Sequence, residues 1–196
     1  MFIIPMFLCD ADSDIIYTSA DIVLTSELPT NRPGIEPLVL DGGDISTTAE
    51  IYSSGHLFHG PLLQGLKQVI SNDNGGIIAL SANADIPVKW MDNPLRDSWI
   101  TDPQVLDSSF QMMILWSFAN KDLGSLPSFA GKYRQYCESF PQATRIQCRV
   151  TKVSNNSACA NIDFLDERSR QLLARLEGYE CTMTENLHQS FLDNKI

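Results

Sequence analysis

Two polar side chains stand four residues apart in an otherwise apolar stretch of the chain. Asp107 and Gln111 precede the run Met112–Trp116 and follow Val105 and Leu106. On a helix, residues four apart share one face, so the carboxylate and the amide would contact each other. A buried carboxylate is costly unless it is partnered or used in chemistry. The pair therefore indicates a functional carboxylate, with an ordinary exposed Asp at a helix start as the alternative.

A helix over residues 102–119 must position this pair. Asp102 is a preferred N-cap residue, and Pro103 suits the first helical position. Almost no face of this helix is polar, because apolar residues recur at positions 105, 106, 110, 112, 113, 114, 116 and 118. Such a helix is expected at the centre of the fold rather than at its surface.

Composition excludes several classes of function. The 196 residues suit one domain or one and a half, and the apolar fraction of 43% is ordinary. A net charge of −10 argues against nucleic acid and against an anionic membrane as partners. The five scattered cysteines contain no C-x-x-C pair, so we expect no metal site and a reducing, cytoplasmic environment. No apolar run approaches transmembrane length, and no cofactor motif is present.

The first part of the chain divides from the rest. Phe2–Leu8 is predicted to be a short buried strand, and Asp14–Thr25 a second strand. Residues 29–43 are rich in Pro and Gly and are predicted to form a linker. Two strands are too few to fold alone. Residues 1–28 are therefore expected either to pair with the rest of this chain or to be the terminal strands of a preceding domain.

The remaining segments predict an antiparallel sheet packed on the central helix, an α+β fold. Residues 44–52 are expected to form a short helix, and residues 72–76 the turn of a hairpin between strands 66–70 and 77–82. Strand-like runs follow the central helix at residues 125–136, 144–153, 158–165 and 172–181. Residues 183–196 are predicted to be a polar tail.

Four stretches carry a resemblance, in order, over residues 44–182. They are Ala49–Leu66, which contains Phe58-His59-Gly60-Pro61; Asp102–Gln111; Gly124–Pro127; and Asn161–Asp166 with Ala174–Tyr179. Together they resemble the C-terminal half of a polyketide-synthase-type dehydratase domain. The first two are similar to that family's Tyr-Gly-Pro-x-Phe-Gln-Gly and His-Pro-x-Leu-Leu-Asp-Ala-x-x-Gln motifs. The Phe-His-Gly-Pro form is most similar to the dehydratase-like domains of bacterial polyunsaturated fatty acid synthases.

The resemblance implies a double hot-dog fold, with residues 44–182 as the second hot dog and residues 1–28 as the last strands of the first. It implies a β-hydroxyacyl thioester, carried on an acyl carrier protein, that loses water. Asp107 takes the position of the acid at the β-hydroxyl, and Gln111 that of the residue orienting it. His59 falls where the family has a Tyr near the leaving hydroxyl. Gly60 and Pro61 take the positions that shape the substrate pocket wall.

One feature of the family has no counterpart in this sequence. The family's base lies in a His-x-x-x-Gly-x-x-x-x-Pro motif, and neither His56, His59 nor His188 is followed by that pattern. The resemblance therefore implies half of a dehydratase domain that is inactive alone, in contact with other domains of a synthase. Two alternatives remain: a non-catalytic dehydratase-like module that is structural or binds carrier protein, and a single hot-dog acyl thioesterase acting as a homodimer with Asp107.

Overall fold

The structure, a computed structural model, describes residues 1–42, 46–185 and 187. The chain forms two compact units, residues 1–31 and 32–196. The first unit is an antiparallel hairpin of β1 (Phe2–Cys9) and β2 (Ile16–Leu24). Both predicted strands are present, but the prediction that the first is buried was wrong. Every residue of both strands is exposed, because a two-stranded sheet has no second layer within its unit.

The second unit contains a seven-stranded sheet in the order β3-β4-β5-β7-β8-β9-β6, antiparallel throughout. Its strands are β3 (Ser46–Thr47), β4 (Leu66–Asp73), β5 (Gly76–Ala82), β6 (Gly124–Gln135), β7 (Ala143–Val153), β8 (Ser157–Asp166) and β9 (Leu172–Thr184). The helices are α1 (Thr48–Ser53) and α2 (Pro103–Lys121), with short 3-10 turns at Pro61–Leu63 and Pro87–Lys89. The predicted hairpin, central helix and later strands are all found. The predicted tail begins later than expected, since its first two residues end β9.

The central helix α2 has the predicted start. The Asp102 carboxylate accepts hydrogen bonds from the backbone N–H groups of Gln104 and Val105 at 3.0 and 2.9 Å, which satisfies two of the free donors of the first turn. The helix packs against β4, β5, β6 and β7, and Met112 and Trp116 are fully buried. The prediction of a buried central helix is confirmed.

Part of the segment predicted to be a linker, residues 29–43, is hydrogen-bonded to the sheet. The Arg175 guanidinium donates to the carbonyl of Gly34 at 3.1 Å, and that of Arg149 donates to the carbonyl of Glu36 at 3.0 Å. Arg175 is itself held by the nearly buried Asp163 carboxylate, at 3.0 Å between Nη2 and Oδ2. Side chains of β7 and β9 thus hold residues 34–36 against the sheet.

Candidate active site

The Asp107 carboxylate lies in the second turn of α2, where its side chain is 27% exposed. The Gln111 side-chain amide donates to Asp107 Oδ2 at 2.7 Å, as the four-residue spacing predicted. Gln111 itself is fully buried. The Asp107 carboxylate is therefore held on one side by a buried amide and is open to solvent on another.

The Gln111 amide uses each of its hydrogen-bonding groups. Besides the bond to Asp107, Nε2 donates to the backbone carbonyl of Leu63 at 2.6 Å. Oε1 accepts from the Tyr52 hydroxyl at 2.7 Å. That hydroxyl in turn accepts from the backbone N–H of Leu66 at 2.9 Å. This chain of bonds, from Leu66 to Asp107, joins α1, α2 and the start of β4.

Tyr52 was not predicted from the sequence. It lies on α1, whose start is held by a capping box in which the Glu50 carboxylate accepts from the Thr47 backbone N–H at 2.7 Å. Burial raises the pKa of Tyr52 to about 12, and the nearby Asp107 carboxylate adds to the increase, so the hydroxyl keeps its proton. No short motif marks Tyr52, because its partner Gln111 is 59 residues away.

His59 lies beside the acid, in the loop after α1. Its Nε2 is 3.6 Å from Asp107 Oδ2, and its side chain is 7% exposed. Its Nδ1 is buried and has no hydrogen-bond partner among the described residues. Burial lowers the pKa of His59, while the Asp107 carboxylate opposes the change. The imidazole is therefore held neutral near pH 7, in which state it both donates and accepts hydrogen bonds.

The loop that follows contains two glycines with different surroundings. Gly60 and Pro61 are exposed at the start of the 3-10 turn, and a Cβ on Gly60 would meet nothing within 4 Å. A Cβ on Gly65 would lie 2.5 Å from both Gln104 Cγ and Ser108 Oγ of α2. Gly65 thus permits the close approach that brings the Leu63 carbonyl to Gln111. No role for Gly65 was predicted.

The other two candidate histidines are His56 and His188. His56 stacks on Phe118, with ring centroids 4.4 Å apart. His188 lies outside the described residues. In the described ranges, no three His, Cys, Asp or Glu side chains are grouped so as to hold a metal ion. No helix in the described part of the chain is long and apolar enough to cross a membrane.

An antiparallel sheet wrapped around one buried helix is a hot-dog fold. A family model described as "Polyketide synthase dehydratase N-terminal domain" matches residues 29–191. The chain belongs to this polyketide synthase dehydratase family. A comparison with curated proteins finds no match.

Solved structures of polyketide synthase dehydratase domains have the same fold. The dehydratase domain from the CurJ module of curacin polyketide synthase has a TM-score of 0.57 at 20% identity, covering 77% of this chain and 52% of that one. A trans-AT polyketide synthase dehydratase domain from Brevibacillus brevis has a TM-score of 0.62 at 15% identity, covering 92% and 64%. The dehydratase domain of RzxB from Pseudomonas fluorescens has a TM-score of 0.55 at 16% identity, covering 75% and 54%.

These matches confirm the predicted α+β hot-dog fold. They also show that the chain spans only part of the length of the solved domains, 52–64% for the three described above.

Proposed function

We propose that this chain supplies the acid-bearing half of a β-hydroxyacyl-thioester dehydratase in a multidomain synthase. The substrate would be bound to an acyl carrier protein, and Asp107 would be the acid at the β-hydroxyl. The observation that carries the proposal is the bond from the buried Gln111 amide to the partly exposed Asp107 carboxylate, at 2.7 Å. Membership of the dehydratase family supports the reaction class.

The proposed chemistry uses the two carboxylate oxygens differently. Oδ2 faces Gln111 and His59, whereas Oδ1 receives no hydrogen bond from the described residues. A proton on Oδ1 would pass to the β-hydroxyl as the C–O bond breaks, and water would leave. A base would remove the Cα proton, and the electron pair of that C–H bond would form the new double bond. The neutral His59 imidazole would hydrogen-bond the leaving hydroxyl.

The base is assigned outside residues 44–182. No histidine of this chain carries the family's base motif, and His59, the one that the described structure places at Asp107, contacts the acid itself. The hairpin of residues 1–28, exposed and apolar, would belong to the other hot dog. The family model is described as the N-terminal domain. This description does not support the assignment of residues 44–182 to the C-terminal half, which rests on the Asp107–Gln111 motif instead.

The finer assignments follow from the same resemblance. The Phe58–Pro61 segment supports a synthase of the polyunsaturated fatty acid type. Gly60 and Pro61 would line the entrance to the substrate pocket, which their exposure favours. The partners would be the carrier protein, other synthase domains and, through the sheet edge, a second copy of the chain. The setting would be cytoplasmic.

Replacement of Asp107 by Asn tests the proposal. Asn keeps an oxygen that accepts from Gln111 but has no acidic proton, so we expect about a 10²–10⁴-fold loss of dehydration. The assay follows enoyl product from a β-hydroxyacyl carrier-protein thioester, with the full synthase protein that contains this chain. Asp122→Asn is the control, because Asp122 is exposed and ends the same helix. Unchanged turnover by Asp107→Asn would refute the assignment of the acid.

The same assay separates the alternatives. A non-catalytic module, which the missing base motif favours, would leave the synthase's dehydration unchanged when Asp107 is replaced. A thioesterase would release free acid from an acyl thioester and form no enoyl product. Rapid dehydration by this chain alone would contradict a base outside it.

A further inference from the structure

We infer that Tyr52 is a positioning residue that determines which oxygen of Asp107 carries the acid proton. The inference rests on the proposed function of Asp107 and deepens it. It comes from the direction of the hydrogen bonds between Leu66 and Asp107. Two backbone groups determine this direction, the N–H of Leu66 and the carbonyl of Leu63.

The first group that fixes the direction of these bonds can only donate a hydrogen bond. The Leu66 backbone N–H donates to the Tyr52 hydroxyl oxygen at 2.9 Å. The hydroxyl proton is then directed to Gln111 Oε1, 2.7 Å away. Because burial keeps the pKa of Tyr52 far above neutral, the hydroxyl retains this proton at working pH. Tyr52 therefore acts as a donor towards Gln111.

The second group that fixes the orientation of the Gln111 amide can only accept a hydrogen bond. The Leu63 carbonyl accepts from Gln111 Nε2 at 2.6 Å. A flipped amide would place Oε1 against this carbonyl and Nε2 in the path of the Tyr52 hydroxyl proton. Both contacts would be repulsive, so Nε2 keeps its second N–H towards Asp107 Oδ2 at 2.7 Å.

The consequence falls on the acid. Asp107 Oδ2 accepts an N–H bond, so a proton on that oxygen would compete with the Gln111 donor. The proton of the neutral acid is thereby assigned to Oδ1, which no described donor occupies. Tyr52 touches neither the substrate nor the reacting atoms in this scheme. It acts through Gln111.

Tyr52→Phe removes the hydroxyl and keeps the ring. It leaves Leu66 N–H and Gln111 Oε1 without this partner, so the amide samples the flipped state more often. One net hydrogen bond of this kind corresponds to about a tenfold change in population. We expect a drop in kcat of about twofold to tenfold, with KM nearly unchanged. The double variant Tyr52→Phe with Gln111→Ala should be no slower than Gln111→Ala alone, because Tyr52 acts only through that amide.

Tyr133→Phe is the matched control. The Tyr133 hydroxyl also donates to a glutamine oxygen, Gln135 Oε1 at 3.1 Å, and burial also raises the pKa of Tyr133. It lies on β6, and among the described residues its hydroxyl makes no hydrogen bond to Asp107, Gln111 or Tyr52. Its removal should leave kcat unchanged. An equal loss in both variants would mean a general packing effect and would overturn the inference.

A second measurement does not depend on catalysis. In NMR spectra of this chain, the two Gln111 side-chain amide protons should be resolved and protected from solvent exchange. Their exchange should accelerate about tenfold in Tyr52→Phe and remain unchanged in Tyr133→Phe. Unchanged protection in Tyr52→Phe would refute the positioning role even if Asp107 is the acid. Accelerated exchange in Tyr52→Phe, combined with no dehydration by the unmodified synthase protein or its variants, would refute only the proposed function.

A milder substitution covers the case in which Tyr52→Phe does not fold. Tyr52→3-fluorotyrosine keeps every hydrogen-bonding atom and makes the hydroxyl a stronger donor. The Gln111 amide resonances should then shift while the fold is retained. No shift would overturn the inference.

Discussion

Gly65→Ala is expected to destabilise the second unit and to disturb the acid network. The added methyl group would lie 2.5 Å from Gln104 Cγ and from Ser108 Oγ. Neither neighbour moves freely: Gln104 is 8% exposed, and the fully buried Ser108 hydroxyl is bonded to that of Ser81 at 2.9 Å. The loop and α2 must therefore separate by several tenths of an ångström.

Overpacking of this kind costs about 1–3 kcal/mol. The smaller backbone entropy of Ala in the unfolded chain returns about 0.4–1 kcal/mol. Taken at the middle of each range, the net loss is about 1.3 kcal/mol, and a domain of this size loses roughly 2–4 °C in Tm for each kcal/mol. We expect Tm to fall by about 3–5 °C. Separation of the loop from α2 would also lengthen the 2.6 Å bond from Gln111 to the Leu63 carbonyl, so dehydration should weaken as well.

The assay is thermal unfolding followed by circular dichroism, with Gly60→Ala as the matched control. Gly60 is in the same loop, has φ −68°, and would place its Cβ in open space. Its replacement should leave stability unchanged or raise it by up to about 1 kcal/mol. If Gly65→Ala unfolds within about 0.5 kcal/mol of the unmodified chain, the close approach of this loop to α2 is not under steric constraint, and the reasoning fails.

Two further predictions concern charge. Asp163→Asn leaves the Arg175 guanidinium without its carboxylate in a mostly buried position, and should lower the free energy of unfolding by about 2–4 kcal/mol in urea titrations; Glu36→Gln, in an exposed pair, should change it by less than about 0.5 kcal/mol. Burial lowers the pKa of His59 in the folded chain below its ordinary value of 6.5, so as the pH falls the unfolded chain binds a proton on this histidine first. The neutral, buried His59 therefore contributes its full stability above pH 6.5, and this contribution is lost as the pH falls below that value. Unfolding titrations between pH 8 and 5 should show this loss, and His59→Gln should flatten it; parallel curves for the two proteins would contradict a buried neutral imidazole.

The elements that were predictable are those whose signals are local. Asp102 and Pro103 mark the start of α2, and the four-residue spacing correctly joined Asp107 to Gln111. The turn around Gly76 is marked by its composition, and the structure gives the physical reason: Gly76 has φ +149°, and a Cβ there would meet the Cys148 carbonyl.

The features that were missed depend on contacts between distant segments. Tyr52 becomes part of the site only when α1 packs against α2, and nothing in its neighbours along the sequence signals this. Gly65 looks like any loop glycine until Ser108 is placed opposite it. The Pro- and Gly-rich segment near Gly34 suggested a linker, because composition does not reveal that Arg175, 141 residues later, binds its backbone.

The position of β6 at the end of the sheet limits how a second chain can extend that sheet. Among the described residues, no strand pairs with its outer side. Pro127 offers no N–H to a neighbour, and the register with β9 shifts between Pro127 and Phe129. The proline and the register shift make the stretch around Pro127 a poor template for a ladder, and the stretch from Phe129 to Gln135 is the more regular part of the strand. The first residues of β6 thus protect the sheet against indiscriminate strand addition.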